Sequence, residues 1–145
     1  MTRIDFYILE DKGLDAAYRF ACRLSLRALD NAMPVHIQVA DSEEAETLDA
    51  MMWDYPRHRM LPHRVLGVET PGSGDAPIHI AFGEPIHETG LLINLAPKIA
   101  DFFGRFDRLA EILVEDTKVL GREHYKFYRD RGYPLHHHDI KHWDT

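Results

Sequence analysis

Three consecutive histidines, His136, His137 and His138, with His142 beside Trp143, are the first residues of this chain whose type and spacing suggest chemistry. A His-rich tract can bind transition metals. A dedicated site needs a fixed geometry and further ligands, and adjacent residues of an extended segment point in different directions. The tract therefore reads as a disordered or surface tail. Gly72-Ser73-Gly74-Asp75 lacks the Gly-Lys-Ser/Thr ending of a phosphate loop and precedes a strand-like run, so it reads as a turn. No Gly-x-Ser-x-Gly occurs. Carboxylates are plentiful, but the spacing sets no two of them to face one substrate. His36 and His79 lie within apolar runs and read as packed or solvated residues. Cys22, the single cysteine, sits in an apolar helical pattern and reads as a core thiol.

One constellation stands above this background. Lys118, Arg122, Tyr125, Lys126 and Arg129 recur at spacings of three and four, which puts them on one face of a helix. Leu120 and Phe127 fall on the opposite side and are expected to anchor that helix in the core. A solvated charged face is the ordinary reading of such a helix. Here the stripe is biased to one sign, carries Tyr125 at its middle and keeps Glu123 and Asp130 toward its edge. The chain as a whole has a net charge of -7. A compact positive patch on an acidic protein suits a short acidic peptide better than a long polyanion, which must pass the surrounding negative surface.

The elements that must position this stripe are legible in outline. Ile4 to Leu9 reads as a buried strand. Gly13 to Asn31 reads as a helix with Leu14, Ala17, Ala21, Leu24 and Ala28 inward. Val35 to Val39 alternates and predicts a strand. Asp41, with Glu44 three residues on, caps a second helix that ends near Trp53, before Pro56. Residues 54–76, rich in Pro and Gly, form a long irregular segment. Ile78 to Phe82 and Leu91 to Leu95 read as strands, the second one central. Pro97 to Phe106 reads as a short helix. Leu109 to Val114 suits a strand or a helix start, with Glu115 and Asp116 favouring a break before the last helix. That helix runs to Arg131 and stops at Gly132 and Pro134. Alternating strands and helices predict a three-layer α/β/α sandwich with a mainly parallel sheet.

The 145 residues fit one domain. One cysteine permits no disulfide within the chain, which suits a reducing compartment. The opening Met1-Thr2-Arg3-Ile4-Asp5 does not read as a signal peptide, and no apolar run approaches the length of a membrane span. A cytoplasmic protein is the expectation.

The stripe also carries a family resemblance. Arg122-Glu123-His124-Tyr125-Lys126-Phe127-Tyr128-Arg129-Asp130-Arg131-Gly132-Tyr133 resembles the C-terminal helix of the chi subunit of bacterial DNA polymerase III. Three further segments agree in order. They are Asp5-Phe6-Tyr7-Ile8-Leu9, then Leu48-Asp49 with Met52-Trp53, Pro56 and Leu61-Pro62-His63, then Ala76-Pro77-Ile78 with Leu91-Leu92-Ile93-Asn94-Leu95. The resemblance spans nearly the whole chain. It implies a Rossmann-like α/β/α domain over residues 1–135, no cofactor and no activity of its own, while the His-rich tail over 136–145 departs from the family's pattern and is assigned no role. It implies binding to the acidic C-terminal tail of single-stranded DNA-binding protein, binding to the psi subunit of the clamp loader, and only indirect contact with DNA. Residue by residue, Arg122, Tyr125 and Lys126 match tail-gripping positions. Lys118 matches a further basic one, and Arg129 continues the row. Met60 occupies the position of an aromatic pocket residue, and Leu113 matches the aliphatic wall. The competing readings are direct nucleic-acid binding by the stripe and a small nucleotide- or metal-dependent enzyme.

Overall fold

The computed structural model describes residues 1–57, 59–67, 76–86 and 88–143. The glycine cluster at 72–75 lies outside the described residues. In chain order the elements are β1 (Arg3–Leu9), α1 (Leu14–Asp30), β2 (Val35–Gln38), α2 (Ser42–Asp54), β3 (His63–Val65), β4 (Ile78–Ala81) and β5 (Leu91–Asn94). A 3-10 turn (Phe103–Arg105), β6 (Arg108–Leu113), a second 3-10 turn (Glu115–Thr117), α3 (Lys118–Asp130) and β7 (Leu135–Ile140) complete the chain. Among the described residues no helix is long and apolar enough to cross a membrane.

The strands form one sheet in the order β3-β4-β2-β5-β6-β1-β7, and every pairing is parallel. A parallel sheet needs both faces covered, and alternation along each strand supplies two apolar faces. Leu9, Ile37, Ile93, Ala110 and Ile112 pack with α1 and α2. Ile4, Phe6, Leu92 and Leu109 pack with α3 and the phenylalanines of the β5–β6 connection. The result is the expected three-layer sandwich.

Most local expectations hold for the reasons given. The Asp41 carboxylate accepts from Glu44 N at 2.9 Å, and Ala40 N donates to Glu44 Oε2 at 2.9 Å, so the start of α2 is capped from both sides. Cys22 is buried on α1, and burial pushes its thiol up to about 12. Small residues (Ala17, Ala21 and Ala28) face inward on α1 as expected, but Leu14 is exposed and Leu24 only half-buried.

Three further expectations are corrected, and one left open is resolved. Residues 97–106 form no helix beyond the single turn at Phe103–Arg105. The Thr2 hydroxyl takes the carbonyls of Gly104 and Phe106, at 3.3 and 2.6 Å. Gly104 weakens any helix there, and Phe102, Phe103 and Phe106 bury themselves directly. The irregular segment contains β3, three residues held by pairing with β4. Leu109 to Val114 resolves as β6 because it fills the slot between β5 and β1. The expected His-rich tail is, over residues 135–140, an edge strand paired with β1. His138 stacks on Tyr7 at 4.9 Å and reaches Asp5 Oδ1 at 3.0 Å. Beyond β7, the indole N–H of Trp143 donates to Asp11 Oδ1 at 3.0 Å.

Candidate functional site

The connection leaving β6 sets the start of α3. Glu115 N and Asp116 N donate to the carbonyls of Asp11 and Lys12, which ties this turn to the loop after β1. Thr117 Oγ1 accepts from Val114 N at 3.0 Å. Gly132, at φ 79°, ends the helix in the left-handed region that favours glycine.

The anchoring face of α3 differs from the one its apolar residues suggest. Gly121, His124 and Tyr128 are the buried residues, while Leu120 and Phe127 are half-buried at the flank. Gly121 lets α3 approach closely, since a Cβ there would collide with Leu113 Cδ1 and lie 2.7 Å from its Cδ2 unless that side chain shifted. His124 and Tyr128 converge on Glu111, which is 3% exposed. Tyr128 donates its hydroxyl to Glu111 Oε2 at 2.6 Å. His124 Nδ1 meets the same oxygen at 3.0 Å, and its Nε2 meets the Pro97 carbonyl at 3.0 Å. Asn94 Nδ2 lies 3.2 and 3.3 Å from the Glu111 oxygens.

The ring nitrogens of His124 thus face a carboxylate and a carbonyl, an arrangement that favours the doubly protonated ring. Burial, at 6% exposure, works against that charge. The Glu111 carboxylate and the Pro97 carbonyl outweigh it and raise the His124 pKa. Burial and the same carboxylate push the Tyr128 hydroxyl far up, so it stays protonated and donating. A half-polar underside therefore fixes both the height and the rotation of α3 on the sheet.

That rotation turns the basic stripe outward along one flank. Lys118, Arg122, Lys126 and Arg129 are exposed. Among the described residues Lys118, Arg122 and Lys126 make no ion pair, whereas Arg129 reaches Asp130 Oδ1 at 3.5 Å. Tyr125 is 36% exposed and packs edge-on against Phe6 at 5.4 Å. Leu113, half-buried, lies under the helix against Gly121. The structure thus brings together Lys118, Arg122, Tyr125, Lys126, Arg129 and Leu113. Four cations and an amphipathic ring beside an aliphatic side chain can hold a carboxylate and an apolar group at once.

Met60 does not join them. It precedes β3, the outer strand at the opposite edge of the sheet from α3, with β4, β2 and β5 between. There Met60, 75% exposed, and Trp53, 61% exposed, border a depression with Pro56 and Arg59. His63 holds this corner, with Nδ1 at 2.6 Å from Leu61 O and Nε2 at 2.8 Å from Asp49 Oδ1. The residues that sequence reasoning missed are Glu111, His124 and Tyr128. The Gly121-His124-Tyr128 spacing of three and four carried their signal, hidden because two of the three are polar.

Among the described residues no three His, Cys, Asp or Glu side chains are grouped to hold a metal. A cleft of about 370 Å³ opens at the carboxyl ends of β2, β4 and β5, lined by Gln38, Phe82, Lys98 and Phe102 among others.

Comparison with known proteins gives a consistent picture. A family profile described as "DNA polymerase III chi subunit, HolC" matches residues 1–136. A Pseudomonas aeruginosa protein named DNA polymerase III subunit chi is 33% identical over 143 residues, covering 97% of this chain and 98% of the relative. Proteins of the same name from Escherichia coli and Haemophilus influenzae are 32% and 28% identical. They cover 93% and 90% of this chain, and 96% and 92% of their own lengths.

Proposed function

Since the chain belongs to the DNA polymerase III chi subunit family, we propose that it is a cytoplasmic adaptor without activity of its own, which captures the acidic C-terminal tail of single-stranded DNA-binding protein on α3. Through the psi subunit it links that protein to the clamp loader, so DNA is reached indirectly. The observation that carries this reading is the exposed row Lys118, Arg122, Lys126 and Arg129 around Tyr125 on a protein of net charge -7.

Arg122 stands at the centre of the row and grips the terminal carboxylate through two parallel N–H groups. Such charge-assisted bonds contribute about 1.5–3 kcal/mol. Burying the terminal phenylalanine ring beside Tyr125 and Leu113 contributes roughly 1.5–3 kcal/mol more. The gross sum falls short of the ~8 kcal/mol of a micromolar complex, and ordering a flexible tail opposes it further. Lys118, Lys126 and Arg129 must supply the remainder, so affinity falls with salt.

The test is calorimetric titration with a tail peptide and with the same peptide lacking its last phenylalanine. The full peptide binds in the micromolar range and the truncated one does not. The Arg122→Ala variant loses at least about tenfold in affinity. Undiminished binding by that variant would refute the placement of the site on α3.

A further inference from the structure

The register of β7 places an imidazole on the same face as the stripe. β7 pairs with β1 so that Phe6 stands opposite His137 and Tyr7 opposite His138. Register-paired residues of adjacent strands point to the same side of a sheet, and successive residues alternate. Phe6 points to the α3 side, where the Tyr125 ring rests on it. Leu135, two residues before His137, packs into that same cluster. His138 points the other way, onto Tyr7 and Asp5. His137 therefore lies on the α3 side, one strand beyond Phe6, and it is exposed.

We infer that His137 is a further binding residue of this face, extending the acidic-peptide site from α3 onto β7 and making peptide capture depend on pH. The inference rests on the α3 reading above. Among the described residues, α3 turns Tyr125 onto Phe6, the register partner of His137, with Arg122 and Arg129 one turn to either side of it. β1 contributes the apolar Phe6 and Ile8. Asp139 is its neighbour on the same face of β7. An acidic peptide laid along the stripe brings carboxylates that favour a charge on the ring. Binding and protonation are then linked, and each favours the other. Imidazole is the side chain whose charge changes between about pH 5 and 8, a range in which the peptide carboxylates stay ionised. Affinity consequently rises as pH falls through that window.

The experiment is titration of the full-length protein with an acidic peptide ending in phenylalanine, at about pH 5.8 and pH 8.0 and constant ionic strength. Wild type, His137→Gln and His136→Gln are compared, the last removing an exposed imidazole that points to the opposite side. The wild type binds about two- to fivefold tighter at the lower pH, the size of one added charge contact at an exposed site. His137→Gln flattens the dependence and His136→Gln preserves it. Net proton uptake on binding, measured near pH 6.5 in buffers of different ionisation enthalpy, falls in His137→Gln alone. A flat wild-type profile, or a dependence that survives His137→Gln, overturns the inference and leaves the α3 site standing. Absence of wild-type binding at both pH values overturns both.

Discussion

Replacing His124 by alanine tests whether α3 is held by a buried ion pair. The substitution removes the contacts to Glu111 Oε2 and to the Pro97 carbonyl, each 3.0 Å. It leaves the Glu111 carboxylate, 3% exposed, with only the Tyr128 hydroxyl and the Asn94 amide. Breaking one side of a buried pair typically costs about 3–5 kcal/mol. Two neutral donors remain on Glu111, so the expected loss is near the lower end, ~3 kcal/mol, or on the order of 10 °C in Tm for a chain this size. The pH dependence is the sharper signature. The folded-state pKa of His124 is raised, because Glu111 outweighs the opposing effect of burial. A raised pKa means that the imidazolium stabilises fully below the ordinary histidine range of about 6.5. The contribution is lost as pH rises through the folded value. The gap between wild type and His124→Ala must therefore narrow from about pH 6 to pH 9. Urea unfolding followed by the fluorescence of Trp53 and Trp143 measures it at each pH. A gap under ~1 kcal/mol at pH 6, or one that widens with pH, would refute the buried ion pair as the anchor of α3.

Further outcomes follow from the same geometry. Tyr128→Phe removes only the hydroxyl that donates to Glu111 at 2.6 Å and should cost about 1.5–3 kcal/mol in chemical denaturation. Met60→Ser should change stability by no more than ~0.5 kcal/mol. It should also leave acidic-peptide affinity untouched, since Met60 lies at the far edge of the sheet. A tenfold loss of affinity in Met60→Ser would place the apolar pocket at that edge instead.

Much of this molecule could be read from residue type and spacing, and the failures share a cause. The caps, the long helices and the central strands each carry their signal within a few neighbouring residues, as Asp41 and Glu44 do. β3 and β7 do not, for they exist through pairing with β4 and β1. A strand of three residues, or one spelled largely in histidine, has no local pattern to detect. The stripe on α3 was legible because exposed charges repeat at the helical period. The underside was not, because Glu111 lies ten residues before Gly121 and the tie becomes visible only when β6 and α3 pack. That Met60 stands apart from the stripe was hidden for the converse reason, since similarity in sequence order says nothing about which edge of a sheet a loop occupies. Leu113, adjacent in sequence to the connection that launches α3, lies against that helix at Gly121.

The central position of β1 has a consequence for how the chain comes into being. Its two neighbours are β6 and β7, so Ile4 waits about a hundred residues for Leu109 and longer still for Leu135. At the ~5–20 residues per second of synthesis, an apolar, aromatic strand stays unpaired for roughly 5–20 s. Long-range parallel pairing of this kind is slow and exposed to aggregation. The middle of that strand holds Asp5. In the finished protein burial alone would raise its pKa, but His138, Arg108 and Arg3 hold it below the usual carboxylate value. Before β6 and β7 arrive, two of those three partners have not been made. A bare carboxylate at the centre of the strand makes any wrong partner costly. Asp5 thus guards the nascent strand until the residues that neutralise it bring the correct neighbours with them.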